Sequence, residues 1–137
     1  MNRPSFEQIY MNLALQLAER STCERKKVGC VITSTDFRTV MAVGYNGNAS
    51  GLSNGCDRPN EKGNCGCIHA EQNASINCDF PRDISKIVFV TYSPCPHCAK
   101  FFINLGNVKK VYYNQTYRDL TGLKFLKQSG IETEILT

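Results

Sequence analysis

A chain of 137 residues, 42% hydrophobic and 20% charged, fits one globular domain over 1–137 with enough length for a substantial core. Its formal net charge of +4 is too mild to indicate a nucleic-acid groove and suits a small anionic ligand such as a nucleotide. No apolar run approaches the roughly 18 residues of a membrane span, and no signal peptide is visible. A cytoplasmic location follows, where eight cysteines are metal ligands or reduced core residues rather than disulfides.

Phe6, Ile9, Tyr10, Leu13 and Leu17 recur at three- and four-residue spacing and predict a first helix. Ser5 and Gln8 offer it a capping box, with Pro4 just outside. Two short apolar strands follow at 28–33 and 40–45, joined by Ser34-Thr35-Asp36 as a hairpin. From 46 to 66 the chain is a long loop rich in Gly, Asn and Ser, the kind that is functional or tied by metal. A short helix is predicted over 69–78. The β-branched and aromatic run at 86–91 reads as a buried strand. Ser93 as N-cap and Pro94 as first helical residue then open a helix that runs over 95–105 and ends at Gly106. A strand at 109–113, a helix at 120–129 closed by Gly130 and a strand at 131–136 complete the chain. The order α-β-β-α-β-α-β-α-β implies a mixed sheet covered by helices on both faces.

The chemistry is concentrated in His69-Ala70-Glu71 and Pro94-Cys95-Pro96-His97-Cys98. One imidazole and two thiolates, His69, Cys95 and Cys98, can hold Zn²⁺ and leave its fourth tetrahedral position open, the plan of a catalytic site. Such an ion lowers the pKa of its water to about 7, and Glu71 would carry the protons. Both motifs open predicted helices, whose N-terminal partial charge favours thiolate over thiol. Residues two apart on a regular helix lie on different faces, so His69 and Glu71 converge only if both lie in the first turn. His97 is read as a non-ligand, because a fourth protein ligand would close the site.

H-x-E…P-C-x-x-C resembles the signature of zinc-dependent nucleobase deaminases. Cys95-Pro96-His97-Cys98 also resembles the motif of thioredoxin-fold oxidoreductases, but that fold needs a proline downstream, and none follows Pro96. A zinc-stabilised binding module would leave Glu71 and Arg25 without a role. Beyond the metal motifs, the chain resembles deoxycytidylate (dCMP) deaminases from end to end. The segments are Arg3-Pro4-Ser5, Arg20-Ser21-Thr22-Cys23-Glu24-Arg25-Lys26-Lys27-Val28-Gly29, Gly44-Tyr45-Asn46-Gly47, His69 to Ala74, Thr91 to Cys95 and Ser129-Gly130-Ile131-Glu132.

The resemblance implies a cytidine-deaminase-like three-layer α/β/α sandwich on a five-stranded mixed sheet. It also implies hydrolysis of dCMP to dUMP, feeding dTTP synthesis, in a homo-oligomer, commonly a hexamer. Arg25 is the cation chosen for the substrate phosphate, Tyr117 looks like the family's tyrosine near phosphate and sugar, and Asn46 is placed at the deoxyribose. Gly44, Tyr45, Asn46 and Gly47 lie where the family is regulated by deoxynucleoside triphosphates with Mg²⁺, dCTP activating and dTTP inhibiting. Asn48-Ala49 departs there from a family pattern with proline second. Some phage members hold a second, structural zinc with ligands from the regions that here carry Cys23, Cys56, Cys65 and Cys67. Cys30 and Cys78 are left as reduced core residues. The alternative within the superfamily is a zinc deaminase of another nucleoside or of a tRNA base, a reading that asks for a larger basic and stacking surface.

Overall fold

The computed structural model describes residues 2–61 and 64–137. Among these residues nine elements follow the predicted order: α1 (Phe6–Ala18), β1 (Gly29–Ser34), β2 (Val40–Tyr45), α2 (Ala70–Asn77), β3 (Lys86–Tyr92), α3 (Pro96–Leu105), β4 (Val108–Gln115), α4 (Thr121–Gln128) and β5 (Glu132–Ile135). The sheet runs β2-β1-β3-β4-β5. β1 is antiparallel to both β2 and β3, while β3–β4 and β4–β5 are parallel, so the sheet is mixed as expected.

Period-two alternation divides the core between the two faces. Cys30, Ile32, Val88 and Val90 pack with Ala70 and Ala74 of α2, Ala99 and Phe102 of α3 and Leu126 of α4. Val31, Ile87, Phe89 and Tyr112 pack with Met11 and Ala14 of α1. One helix therefore covers one face and three cover the other. Among the described residues, no helix is long and apolar enough to cross a membrane.

Three local expectations are corrected. Ser5 does cap α1, its Oγ accepting the Gln8 N–H at 3.1 Å, but the Gln8 amide turns to Asn12 Oδ1 at 3.1 Å, so the return half of the capping box is not made. The α1 face is also rotated from its predicted centre. Met11, Ala14 and Ala18 are the buried residues, while Phe6 and Ile9 stay exposed. Gly29 is the reason: a Cβ there would fall 1.9 Å from the Ala14 carbonyl oxygen, so helix and strand meet at small residues.

The third correction concerns α3. Its N-cap is Cys95, at φ −67° and ψ 168°, and Pro96 is its first residue. A residue before proline is driven out of the helical region, which makes Cys95 extended. Ser93 instead links two strand ends. Its buried hydroxyl accepts the Tyr117 N–H at 2.7 Å, and its own N–H donates to the Gln115 carbonyl at 2.9 Å. The C-terminal ends of the parallel strands β3 and β4 are thereby joined, with Cys95 just beyond one and Tyr117 just beyond the other. Crevices at such strand ends are where open α/β sheets bind ligands.

Candidate active site

His69 is the N-cap of α2, at φ −71° and ψ 152°, with its N–H held by Gln72 Oε1 at 2.9 Å. This extended cap resolves the two-residue spacing, since His69 precedes the helix and Glu71 lies in its first turn. His69 Nδ1 stands 3.1 Å from Cys98 Sγ and 3.6 Å from Cys95 Sγ. The three ligand atoms all lie within 4.8 Å of one another. An N/S₂ set on a zinc tetrahedron spans about 3.6–3.8 Å between donor atoms, so this group has the chemistry and the spacing for that ion. His97 is exposed and lies outside the group, beside a separate surface groove with Ile76, Lys100 and Phe101.

Two helix N-termini meet at this group, those of α2 and α3. The Cys98 side chain and His69 hold the Cys95 thiol at about 4, well below the usual range. The Cys95 side chain raises His69 against the opposing effect of burial. Glu71 is 5% exposed, and burial lifts its carboxyl to about 7. It is not part of the ligand group.

A second group is formed by Cys23, Cys56, Cys65 and Cys67, whose sulfurs also lie within 4.8 Å of one another. Cys23 Sγ is 3.5 Å from Cys56 and 3.8 Å from Cys65, and Cys67 is 3.6 Å from Cys56. Four thiolates around zinc at about 2.3 Å would stand about 3.8 Å apart. Burial opposes ionisation of Cys23, but the backbone N–H groups of Lys26 and Arg25 bring it to about 7. All eight cysteines are free; Cys30 is wholly buried, and Cys78, the α2 C-cap, packs against the same core.

One cleft joins the two groups. Cys23, Cys65 and Cys67 line it together with His69, Glu71 and Cys95, and so do Arg25, Asn46 and Tyr117. Arg25 donates through Nη1 to the Pro59 carbonyl, which ties it to the long loop. Asn46 is buried; its Oδ1 accepts the Val28 N–H at 2.9 Å and its Nδ2 donates to the Lys26 carbonyl at 2.6 Å. Gly44 and Gly47 are already accounted for by packing. A Cβ on Gly44 would lie 2.5 Å from backbone atoms of Ala70 and Ala74, and one on Gly47 would lie 2.5 Å from Thr22 Oγ1. The Tyr45 ring lies under the Arg20 guanidinium, 6.0 Å from its centroid.

Sequence reasoning missed Lys26, Tyr92, Ser93 and Arg118, which also line the cleft. Lys26 sits over two rings, 4.3 Å from the Tyr92 centroid and 4.7 Å from that of Tyr117. The run Arg25-Lys26-Lys27 signals charge, but not which of the three enters a cleft.

Comparison with known proteins accords with this geometry. The family model for the cytidine and deoxycytidylate deaminase zinc-binding region matches residues 4–115. The deoxycytidylate deaminase of Saccharomyces cerevisiae is 36% identical over 94% of this chain, which spans 44% of that relative's length. That of Mycobacterium phage D29 is 32% identical over 82% of this chain and 97% of its own. A crystal structure of the dCMP deaminase from cyanophage S-TIM5, in complex with dCMP and dUMP, superposes with a TM-score of 0.86 at 35% identity, covering 99% of this chain and 100% of that one. The chain belongs to the cytidine and deoxycytidylate deaminase family.

Proposed function

We propose that the chain is a dCMP deaminase, one domain over 1–137 that hydrolyses dCMP to dUMP and ammonia in the cytoplasm and so feeds dTTP synthesis. The observation that carries this reading is a three-ligand group, His69, Cys95 and Cys98, beside a buried carboxyl, Glu71, in a cleft that cations and tyrosines line. The cyanophage relative whose structure holds dCMP and dUMP supports the substrate.

The three ligands would hold zinc, which when bound supplies Lewis-acid activation of water at neutral pH. Glu71 does the proton work. Its carboxyl at about 7 is poised between both states at neutral pH. It takes a proton from the attacking water and delivers it to ring N3 as C4 becomes tetrahedral, then takes the remaining proton from the new C4 hydroxyl and gives it to the departing amine, so that ammonia leaves as the C4 carbonyl forms. Asn46 shapes the cleft wall beside the deoxyribose. Arg25 keeps donors free for the phosphate, since a guanidinium has five and Pro59 engages one group, and Tyr117 packs near phosphate and sugar.

The Cys23, Cys56, Cys65 and Cys67 group is a second, structural zinc site that closes the long loop. Gly44, Tyr45, Asn46 and Gly47 belong to a regulatory segment that answers to dCTP and dTTP with Mg²⁺, in a homohexamer. The deciding experiment compares turnover of dCMP, deoxycytidine and a tRNA stem-loop by the zinc-loaded protein. Preference for dCMP is the expected result; preference for either other substrate overturns the reading.

A further inference from the structure

We propose that Lys26 is a second side chain, beside Arg25, by which this cleft tells a nucleoside monophosphate from the bare nucleoside, with Arg118 as its neighbour at the phosphate. The inference rests on the dCMP reading and adds a residue that sets its specificity.

The three consecutive cations 25–27 are engaged differently. Arg25 is bonded to the Pro59 carbonyl, and Lys27 lies 3.9 Å from Glu19. Among the described residues, the Lys26 ammonium rests on the faces of Tyr92 and Tyr117, inside the cleft that also holds Glu71. Arg118 lies over the Tyr117 ring as well, 5.6 Å from its centroid. Among the described residues, no acidic side chain lies within ion-pair distance of Lys26 or Arg118. Two cations thus share one aromatic ring, and among the described residues neither is closed into an ion pair.

Cation–π contact at an exposed site is weak beside a charge-assisted bond to phosphate. An arriving dianion therefore draws Lys26 off the rings, whereas a neutral sugar terminus has nothing to displace it. The Lys26 backbone stays fixed during that movement, because its carbonyl is held by Asn46 Nδ2 at 2.6 Å. Burial and the neighbouring Arg118 hold the Lys26 ammonium below the usual lysine value, a penalty that a phosphate between the two would relieve.

The test uses the zinc-loaded, full-length protein. Lys26→Met should lower the ratio of kcat/KM for dCMP to that for deoxycytidine by roughly 10- to 100-fold, and Lys26→Arg should restore most of it. Calorimetric titration without turnover should show dUMP affinity falling by a similar factor relative to deoxyuridine. An unchanged ratio with unchanged dUMP affinity overturns the proposal, as does equal loss with both substrates, which would make Lys26 a structural residue. Wild-type protein that ignores dCMP overturns the substrate reading instead, and the dUMP titration still decides whether Lys26 holds phosphate.

Discussion

Cys67 and His69 are separated by one residue and serve different ligand groups: Cys67 Sγ lies 3.6 Å from Cys56, and His69 Nδ1 lies 3.1 Å from Cys98. The intervening Ile68 is pinned to Gly47, its N–H donating to the Gly47 carbonyl at 2.7 Å and its carbonyl accepting in return at 3.1 Å. A metal that closes the cysteine group therefore fixes the approach of His69 to its own site. Reduced, purified protein should contain two equivalents of zinc by elemental analysis. Cys56→Ser should retain one and lower Tm by about 5–10 °C, since structural zinc contributes directly to folding. His69→Ala should also retain one, with a smaller fall in Tm. A single equivalent that disappears with His69→Ala would remove the second site.

Glu71 is not among the ligands, so its amide should leave the metal in place. Glu71→Gln is expected to lower kcat by about 10²–10⁴-fold with zinc content unchanged, the usual contribution of a general acid–base group. Near-normal turnover in that variant would sink the assigned proton path.

The grouping of His69, Cys95 and Cys98 is legible in the sequence because its signals are local. Cys95 and Cys98 are separated by one helical turn, and His69 stands at a helix start, so a pattern of residue types is nearly a pattern of positions. The cap of α3 lies two residues beyond its expected place because Ser93-Pro94 and Cys95-Pro96 carry the same local signal, and only the Ser93–Tyr117 bond between strand ends separates them. The buried face of α1 differs from expectation for a similar reason: Gly29, on another element, decides that Ala14 and not Ile9 meets the sheet. Lys26 does not stand out in the sequence because its two ring partners are 66 and 91 positions away.

Gly44 offers a test of how closely β2 presses on the helix that carries the site. A methyl group there would meet backbone atoms of Ala70 and Ala74 at 2.5 Å, and neither can move without α2. Gly44→Ala should destabilise the fold by about 1–3 kcal/mol, as overpacking typically does. Because Ala70 joins His69 to Glu71, kcat should also fall. Urea unfolding and steady-state kinetics on the same preparation would check both, and a variant of wild-type stability would refute the close contact.

Lys86 heads β3 with its side chain fully buried, a placement that the apolar run gives no reason to expect. Its Nζ donates to the Ile84 carbonyl at 2.7 Å and the Gly106 carbonyl at 2.8 Å, with longer contacts to Pro81 and Arg82. Lys86→Met would leave these acceptors unpaired and should lose about 1–3 kcal/mol of stability. Burial also holds the ammonium below the usual lysine value. At a pH below the folded-state pKa both states are protonated, and the full burial penalty is present. As pH rises towards the unfolded value, the folded state releases its proton first, so stability relative to Lys86→Met should increase. Unfolding curves of both proteins between neutral pH and about pH 10, near the unperturbed lysine value, would show it. A difference that stays flat or falls would count against the buried ammonium.

Asn46 connects the segment assigned to triphosphate control with the segment that carries Lys26. It is the third residue of the Gly44–Gly47 segment, accepts at Oδ1 from Val28 and donates at Nδ2 to the Lys26 carbonyl, while its own carbonyl accepts from Ser21 Oγ at 2.9 Å. A change at Gly44 to Gly47 therefore reaches the cleft through two short hydrogen bonds. Coupling between an effector and a substrate is typically about 1–3 kcal/mol, or roughly 5- to 150-fold in affinity. Saturation curves should accordingly be sigmoidal without effector, with dCTP and Mg²⁺ lowering the half-saturating dCMP concentration and dTTP raising it. Asn46→Ala removes both side-chain bonds, so it should weaken dCMP binding and flatten the response to each triphosphate together. A wild-type curve that is hyperbolic and indifferent to both nucleotides would confine Asn46 to shaping the substrate cleft, and the deamination chemistry of Glu71 would stand without it.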